Sequence, residues 1–174
     1  MERVMVIGSG GAGKSVFALR LAERTGLPVI HLDREYWGAG WQPMPEDEWI
    51  ARIRELTAGQ RWIMDGNFGG TIQIRMAAAD TVVFLDLPRL VCIWNVIKRR
   101  VRYHGAARPD MTPGNREKLD LEFLRWIWGY PRTRRPGILA QLEALPPSVL
   151  VVRLTSHRAA DAFLAGIPAT GAAA

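Results

Sequence analysis

A complete phosphate-binding loop near the start of the chain constrains its fold more than any other feature. Residues 8–15 read Gly-Ser-Gly-Gly-Ala-Gly-Lys-Ser and match the pattern G-x-x-x-x-G-K-[ST]. An apolar run, Val4 to Ile7, precedes the loop, and an apolar helical pattern from Val16 follows it. This strand–loop–helix order is the setting in which the motif holds phosphates. A glycine-rich turn without a ligand is the alternative, but it accounts for neither the Gly-Lys-Ser ending nor this setting.

The loop predicts the binding of a nucleoside triphosphate. Backbone N–H groups of such a loop point inward around a polyphosphate, and the following helix N-terminus adds partial positive charge. Lys14 is long enough to bridge the β- and γ-phosphates, and the hydroxyl of Ser15 suits a ligand of Mg²⁺. ATP and Mg²⁺ are therefore the predicted cofactors. The predicted nucleotide site consists of Gly8, Ser9, Gly10, Gly11, Ala12, Gly13, Lys14, Ser15 and Val16.

Length and composition predict a globular protein of the cytoplasm. A chain of 174 residues is long enough to bury about two thirds of its unfolded surface in one domain. The single cysteine, Cys92, excludes an internal disulfide and favours a reducing compartment. We expect no signal peptide, because the first apolar stretch is short and leads directly into the loop. No apolar run reaches the ~18 residues that span a bilayer, so no membrane partner is predicted, and the oligomeric state is left open.

The positive charge of the chain is concentrated in one segment. Residues 98–135 carry eleven Lys and Arg against four Asp and Glu, a balance of +7, whereas the whole chain has a net charge of +6. Such a segment suits the phosphates of a nucleotide or of a nucleic acid backbone, and charge alone does not choose between them.

Strands and helices alternate along the chain, which predicts a doubly wound α/β fold around a five-stranded parallel sheet. The predicted strands are 3–7, 29–32, 62–64, 81–87 and 149–154. The predicted helices are 14–25, 46–57, 71–78, 90–103, 116–128 or beyond, 137–145 and 157–165, with Pro131 and Pro136 breaking the chain after the helix from 116. The expected domain is 1–165, followed by a loosely held tail, 166–174.

Acidic residues follow three of the predicted strands, at the sheet edge where ligands bind in such folds. Asp65 is the better candidate for holding Mg²⁺ opposite Ser15, and a turn-forming Asp-Gly pair is its alternative interpretation. Asp86 is the second candidate for the metal, although Pro88 follows so closely that Asp86 is equally suited to capping a loop.

Asp33, after the second strand, is the candidate for accepting a proton from an acceptor hydroxyl or holding that hydroxyl in line. Glu35 is a nearby alternative, and a helix N-cap is the structural interpretation of Asp33. His31 is expected to be packed rather than catalytic. Three tryptophans cluster beyond these residues and either stack on a base or sugar ring or fasten a long loop to the core: Trp37, Trp41 and Trp49.

Two groups of basic residues flank the predicted loop 104–115. The first group is Lys98, Arg99, Arg100 and Arg102, and the second is Arg132, Arg134 and Arg135. A solvated face is the ordinary interpretation of such clusters. Beside a phosphate-binding loop, however, they predict a lid over about 104–136 whose guanidinium groups stabilise charge on the transferring phosphoryl group.

The order of these motifs resembles that of the adenylate kinase-like P-loop kinases, and most closely the bacterial family of adenylate kinase-related DNA topology modulation proteins. The matching segments are 8–15, 31–33 with Trp37, 62–67, 84–89, 98–100, 108–111 and 126–130, which span nearly the whole chain. The resemblance implies a sheet ordered 2-3-1-4-5 and a mobile lid that bears arginines. It also implies that Asp65 supports Mg²⁺ and that Arg99 or Arg100 contacts the phosphates of ATP.

One departure from that family concerns the acceptor. Adenylate kinases follow Asp-Gly with Phe-Pro-Arg, and this arginine grips the monophosphate acceptor. Here Asp65-Gly66 is followed by Asn-Phe-Gly-Gly, and the next arginine is Arg75. We therefore expect phosphoryl transfer to another acceptor, such as a nucleotide, nucleoside or hydroxylated metabolite. The alternative function is a nucleotide-dependent regulator or NTPase associated with DNA topology, although no helix-turn-helix or zinc motif supports nucleic acid binding.

Overall fold

The computed structural model of the chain describes residues 1–102, 115 and 120–168. Its strands are β1 (Arg3–Gly8), β2 (Val29–His31), β3 (Trp37–Gly38), β4 (Gln42–Pro43), β5 (Trp62–Asp65), β6 (Thr81–Leu85) and β7 (Leu150–Leu154). Its helices are α1 (Lys14–Thr25), α2 (Leu32–Tyr36), α3 (Glu46–Thr57), α4 (Ile72–Ala78), α5 (Arg89–Arg102), α6 (Leu121–Thr133), α7 (Arg135–Glu143) and α8 (His157–Ala165). A 3₁₀ turn, Gly69–Thr71, precedes α4.

Five strands form a parallel sheet in the order β2-β5-β1-β6-β7. Counted along the sheet-forming strands, this is the expected order 2-3-1-4-5, so that prediction is confirmed. In the register of the sheet, Val6 of β1 lies beside Asp65 of β5 and Val83 of β6. The carboxyl ends of these strands therefore meet at one edge, just below the phosphate-binding loop.

Alternate side chains of the central strand pack on opposite faces of the sheet, as the pleat requires. Val4 and Val6 belong to a core that includes residues of α1, α5 and α8. Met5 and Ile7 belong to a second core that includes residues of α4 and α7. Because helices cover both faces, the predicted doubly wound arrangement is confirmed, and the central strand is apolar on both sides.

Specific residues end and begin the helices around the site. Gly13 (φ +86°) precedes α1, and Gly26 (φ +67°) follows it and donates its backbone N–H to the carbonyl of Ala22. Glycine adopts this left-handed backbone at low cost. The carboxylate of Asp120 caps α6 by accepting from the N–H of Glu122 at 2.8 Å.

Three local predictions differ from the structure. The second strand ends at His31, and Asp33 lies in the first turn of α2 rather than after a strand. Pro131 lies inside α6, in its last turn, so the prediction that it breaks the chain is wrong. Its ring nitrogen cannot donate to the carbonyl of Ile127 four residues earlier, and α6 ends two residues later. Pro136 lies in the first turn of α7, where proline is tolerated.

Residues 104–114 of the predicted loop lie outside the described residues, as do 116–119 of the predicted lid and 169–174 of the predicted tail. Among residues 1–102, 115 and 120–168, no helix is both long enough and apolar enough to cross a lipid bilayer.

Candidate nucleotide and acceptor site

The phosphate-binding loop is held in shape from both sides by residues distant in sequence. Below it, Asn67 donates to the carbonyl of Gly8 at 2.6 Å and accepts from the N–H of Gly8 at 3.0 Å. Above it, the side-chain amide of Asn95 on α5 donates to the carbonyl of Gly11 at 2.9 Å. The protein's own side chains therefore hold the loop in shape from two sides.

Lys14 lies at the centre of the loop. Its Nζ donates to the carbonyl oxygens of Gly8 and Ser9, each at 3.1 Å. Burial lowers the pKa of Lys14, while the negative charges of Asp33 and Asp65 act in the opposite direction. An ammonium group held on neutral carbonyls, and desolvated, gains strongly from the arrival of a phosphate anion.

A cavity of about 1770 Å³ lies over this loop and extends along the carboxyl edge of the sheet. Its wall includes the loop residues 10–15 and Val16, the acidic residues Asp33 and Asp65, and the basic residues Lys98, Arg99 and Arg102. The structure thus brings together most of the residues predicted from the sequence. The cavity has room for a nucleotide and a second small molecule, since single-ligand sites are usually about 300–1,000 Å³.

Asp65 lies at the end of β5 and is only 4% exposed. One of its carboxylate oxygens lies 2.8 Å from Nδ1 of His31 at the end of β2, the neighbouring strand. His31 also lines the cavity. It therefore belongs to the site, although the sequence predicted that it would be packed rather than catalytic. The hydrogen bond fixes the rotation of the carboxylate and leaves its second oxygen for another partner.

The residues at this edge fit a magnesium ion held jointly with phosphate. Ser15 offers a hydroxyl and Asp65 a carboxylate oxygen, which are the hard donors that Mg²⁺ takes. Within the described part of the chain, no group of three or more His, Cys, Asp and Glu side chains is arranged to hold a metal. A Mg²⁺ ion at Ser15 and Asp65 would therefore need phosphate oxygens and water to complete its coordination.

The acceptor end of the cavity is built from α2 and the β3–β4 hairpin. Asp33 lines it, together with Trp37 and Trp41, whose rings meet edge to face at 5.7 Å. The amide of Asn115 fastens the hairpin by accepting from the N–H of Trp41 at 2.9 Å and donating to the carbonyl of Gly38 at 3.0 Å. Two of the three tryptophans therefore line the cavity.

Trp49 and Glu35 take structural roles. Trp49 is 5% exposed and packs with Leu32 and Ile53 in a third apolar cluster. Glu35 accepts from Arg52 on α3 at 2.8 and 2.9 Å, and it is not among the described residues of the cavity wall. Of the two carboxylates weighed for the acceptor, the structure therefore places Asp33 at the cavity.

Asp86 pairs with arginines of α7 and β7, away from the described part of the cavity wall. Asp86 accepts two hydrogen bonds from Nε of Arg135, at 2.8 and 3.1 Å, and forms an ion pair with Arg153 at 2.7 Å. The hydrogen bond to Asp86 raises the pKa of Arg135. Asp86 thus joins β6, β7 and α7, a different role from the metal ligand considered above. Among the described residues, Arg100, Arg132, Arg134 and Arg135 are absent from the cavity wall.

Arg75, the nearest arginine after Asp65, is fully buried. Its guanidinium donates to the carbonyls of Gly66 at 2.9 Å and Phe68 at 3.1 Å, and also to the carbonyl of Asn67. Burial lowers the pKa of Arg75 to about 9, so the group stays charged at neutral pH. Arg75 therefore holds the loop beneath the site and is not placed to grip an acceptor.

Replacing Gly11 by alanine is expected to damage the loop more than replacing Gly13. Both glycines have a left-handed backbone, φ +77° and +86°, which costs another residue about 1–2 kcal/mol. A Cβ at Gly11 would also clash with the Cys92 carbonyl and Val96, whereas a Cβ at Gly13 would make only an ordinary contact with the His157 ring at 4.0 Å. We expect Gly11→Ala to lower the free energy of unfolding by about 3 kcal/mol and Gly13→Ala by about 1. Urea denaturation measures both, and equal losses would contradict close packing against α5.

Comparisons with known proteins bear on the fold. No protein-family model matches the sequence, and no curated protein sequence is significantly similar to it. Among solved structures, an unliganded sugar kinase from Janibacter sp. HTCC2649 is 18% identical, with a TM-score of 0.52 over 95% of this chain and 93% of that one. A gluconokinase from Sinorhizobium meliloti 1021 is 18% identical, with a TM-score of 0.51 over 94% of this chain and 91% of that one.

A shikimate kinase from Acinetobacter baumannii, solved with shikimate, is 17% identical, with a TM-score of 0.51 over 95% of this chain and 89% of that one. Identities this low establish the fold alone. The resemblance to the DNA topology modulation family rests on the sequence motifs only. The chain therefore has an α/β P-loop fold of the kind found in small-molecule kinases.

Proposed function

We propose that the chain transfers the γ-phosphoryl group of MgATP to a hydroxyl group of a small molecule. One observation carries the proposal: a phosphate-binding loop held by Asn67 and Asn95, with a half-buried Lys14, shares one cavity with Asp33 and Asp65 at the carboxyl edge of the sheet. The structural likeness to sugar, gluconate and shikimate kinases supports it, because these folds bring a nucleotide and a small acceptor to that edge.

Phosphoryl transfer depends mainly on positioning and charge stabilisation. The backbone amides of residues 8–16 and Nζ of Lys14 bind the β- and γ-phosphates of ATP. Ser15 and Asp65 would hold Mg²⁺, which when bound would supply positive charge beside the phosphate oxygens. His31 keeps the Asp65 carboxylate in the required orientation through the 2.8 Å contact.

Asp33 acts on the acceptor in this proposal. It takes the proton of the acceptor hydroxyl as that oxygen bonds to the γ-phosphorus, and the bond to the β–γ bridging oxygen breaks to release ADP. Arg99 lines the cavity and neutralises charge on the transferring group. The proposed roles of Arg100, Arg132, Arg134 and Arg135 stay predictions that require the chain to close over its substrates.

A hydroxylated metabolite is the proposed acceptor class. The indoles of Trp37 and Trp41 offer apolar ring faces beside the Asp33 carboxylate, a combination suited to a ring that carries hydroxyl groups. A nucleoside monophosphate is less suited as the acceptor. The guanidinium of Arg75 donates to three backbone carbonyls, and these contacts hold Arg75 away from an acceptor phosphate.

The test is consumption of MgATP by the purified chain with separate additions of sugars, gluconate, shikimate, nucleosides and nucleoside monophosphates. Stimulation by one class establishes the kinase and its acceptor. Turnover that no acceptor stimulates would instead favour the nucleotide-dependent switch or NTPase, and tight binding of duplex DNA that weakens steeply with salt would favour the regulator.

Asp33→Asn is expected to lower the turnover number about a hundredfold or more and to leave the affinity for MgATP within about twofold. The amide cannot take the proton of the acceptor but keeps the size of the side chain. Glu35→Gln is the matched control, because Glu35 is paired with Arg52 away from the cavity wall, and its turnover should be near that of the unaltered chain. Equal losses in the two variants would exclude a special role for Asp33.

A further inference from the structure

Helix α5 carries a row of exposed apolar side chains that the cores do not use. Leu90, Trp94, Ile97 and Val101 are 66%, 58%, 36% and 74% exposed. Their spacing of four, three and four residues places them within an arc of about 60° on a helix with 3.6 residues per turn. The side of α5 that packs into the core is marked instead by Cys92 and Val96, which are buried. We call these four exposed residues the α5 stripe.

The shape of the α5 stripe fits one helix. Its spacing is that of the a and d positions of a heptad, which form the narrow seam of a coiled coil. The stripe is about 16 Å long, since eleven residues separate its ends and each adds 1.5 Å. A helix lying on a bilayer needs a wider apolar face, and the remaining apolar face of α5 is already packed in the core.

The charges around the α5 stripe identify the kind of helix that fits. Helix α5 has no acidic residue, and Lys98 and Arg100 lie at the e and g positions that flank the stripe, whereas Arg89 stacks on the ring of Trp128. Nζ of Lys98 lies 5.7 Å from the ring centre of Trp94, so a cation borders the stripe directly. A second copy would bring like charges together, which is unfavourable, whereas carboxylates beside an apolar seam would be attracted.

From this combination we infer that the α5 stripe docks an acidic amphipathic helix of a partner protein. The partner's apolar a and d side chains pack on Leu90, Trp94, Ile97 and Val101, and its flanking Glu or Asp residues face the basic residues of α5. The inference is independent of the proposed reaction. It places a partner on the helix that also lines the nucleotide cavity with Arg99.

The test uses two synthetic helices of about three heptads each, with leucine at a and d. One has glutamate at the flanking e and g positions and the other has lysine. Fluorescence anisotropy of each labelled peptide is measured against the full chain. The acidic peptide should bind at least about tenfold more tightly than the basic one, and its affinity should fall as salt is added.

The double substitution Trp94→Ser and Val101→Ser should weaken binding of the acidic peptide at least about tenfold, since it removes apolar contacts and keeps every charge. Leu90→Ser is a second, milder variant of the same stripe. Leu150→Ser is the control, because Leu150 is a 51% exposed leucine on β7, away from α5. This variant should bind the acidic peptide as tightly as the unaltered chain does. Thermal unfolding checks that all variants are folded.

Four outcomes would overturn the inference. The first is equal binding of the two peptides, and the second is binding that the stripe variants leave unchanged. The third is a dimer of the unaltered chain, seen by analytical ultracentrifugation, that the double variant abolishes. The fourth is binding to vesicles of phosphatidylserine and phosphatidylcholine that the double variant abolishes, which would assign the stripe to a lipid surface.

Discussion

Lys14→Ala is expected to lower ATP-dependent phosphoryl transfer by about a thousandfold, equivalent to about 4 kcal/mol of transition-state stabilisation. The variant removes the half-buried ammonium that would meet the phosphates in the proposed reaction, and it leaves the carbonyls of Gly8 and Ser9 for water. The fold should persist, because the chain no longer has to bury that charge, and the free energy of unfolding should change by about 1 kcal/mol or less. A coupled ADP assay and urea denaturation measure the two quantities.

Lys98→Ala is the matched control, since Lys98 is a second lysine in the cavity wall but lies over Trp94 on α5. Its turnover should fall by less than about tenfold, because a cation near the rim is screened by solvent. Full turnover by Lys14→Ala would refute the assignment of the phosphate site. Unfolding of Lys14→Ala would instead mean that Lys14 is a structural residue.

Arg75→Leu is expected to lower the free energy of unfolding by about 3–5 kcal/mol. The substitution leaves three carbonyl oxygens, those of Gly66, Asn67 and Phe68, without their donor in a buried region, and each unpaired group costs about 1–3 kcal/mol. Arg75→Lys should recover part of the loss, because one ammonium cannot reach all three oxygens in the planar geometry of a guanidinium. Urea denaturation gives the values.

Arg61→Leu provides the comparison for Arg75. Arg61 is about half exposed, and its ion pair with Glu2, at 2.7 Å, lies on the surface. Removing it should change the free energy of unfolding by about 1 kcal/mol or less. If Arg75→Leu were as stable as Arg61→Leu, the three carbonyl contacts would contribute nothing to stability.

Contiguous signals in the sequence were enough to predict the sheet and the phosphate-binding loop. The chemistry of Gly8 to Ser15 lies within eight residues, and the alternation of apolar runs with helical patterns specifies a parallel sheet. Helix ends were predicted to within a few residues where glycine or an acidic cap marks them. Pro131 was misread because a proline inside a helix lacks an N–H donor and so predicts a break, whereas α6 continues for two residues beyond it.

The residues that orient the site were missed because their partners are far away along the chain. Asn67 and Gly8 are 59 positions apart, and His31 and Asp65 are 34 apart, so only the order of the strands makes them neighbours. Two facts together would have predicted the His31 contact: β2 pairs with β5, and both strands end at the same edge. The burial of Arg75 had one signal, a position among apolar residues of α4 with an acceptor-rich loop before it.

Two hydrogen bonds between Asn67 and Gly8 hold together the floor of the cavity, whereas Trp37 and Trp41 of the hairpin lie at its edge. In the proposed kinase, substitutions in the hairpin would therefore alter which acceptor is admitted and leave the residues proposed to bind phosphate in place. Acceptor preference and phosphate binding would then be separable by mutation, because different segments of the chain determine them.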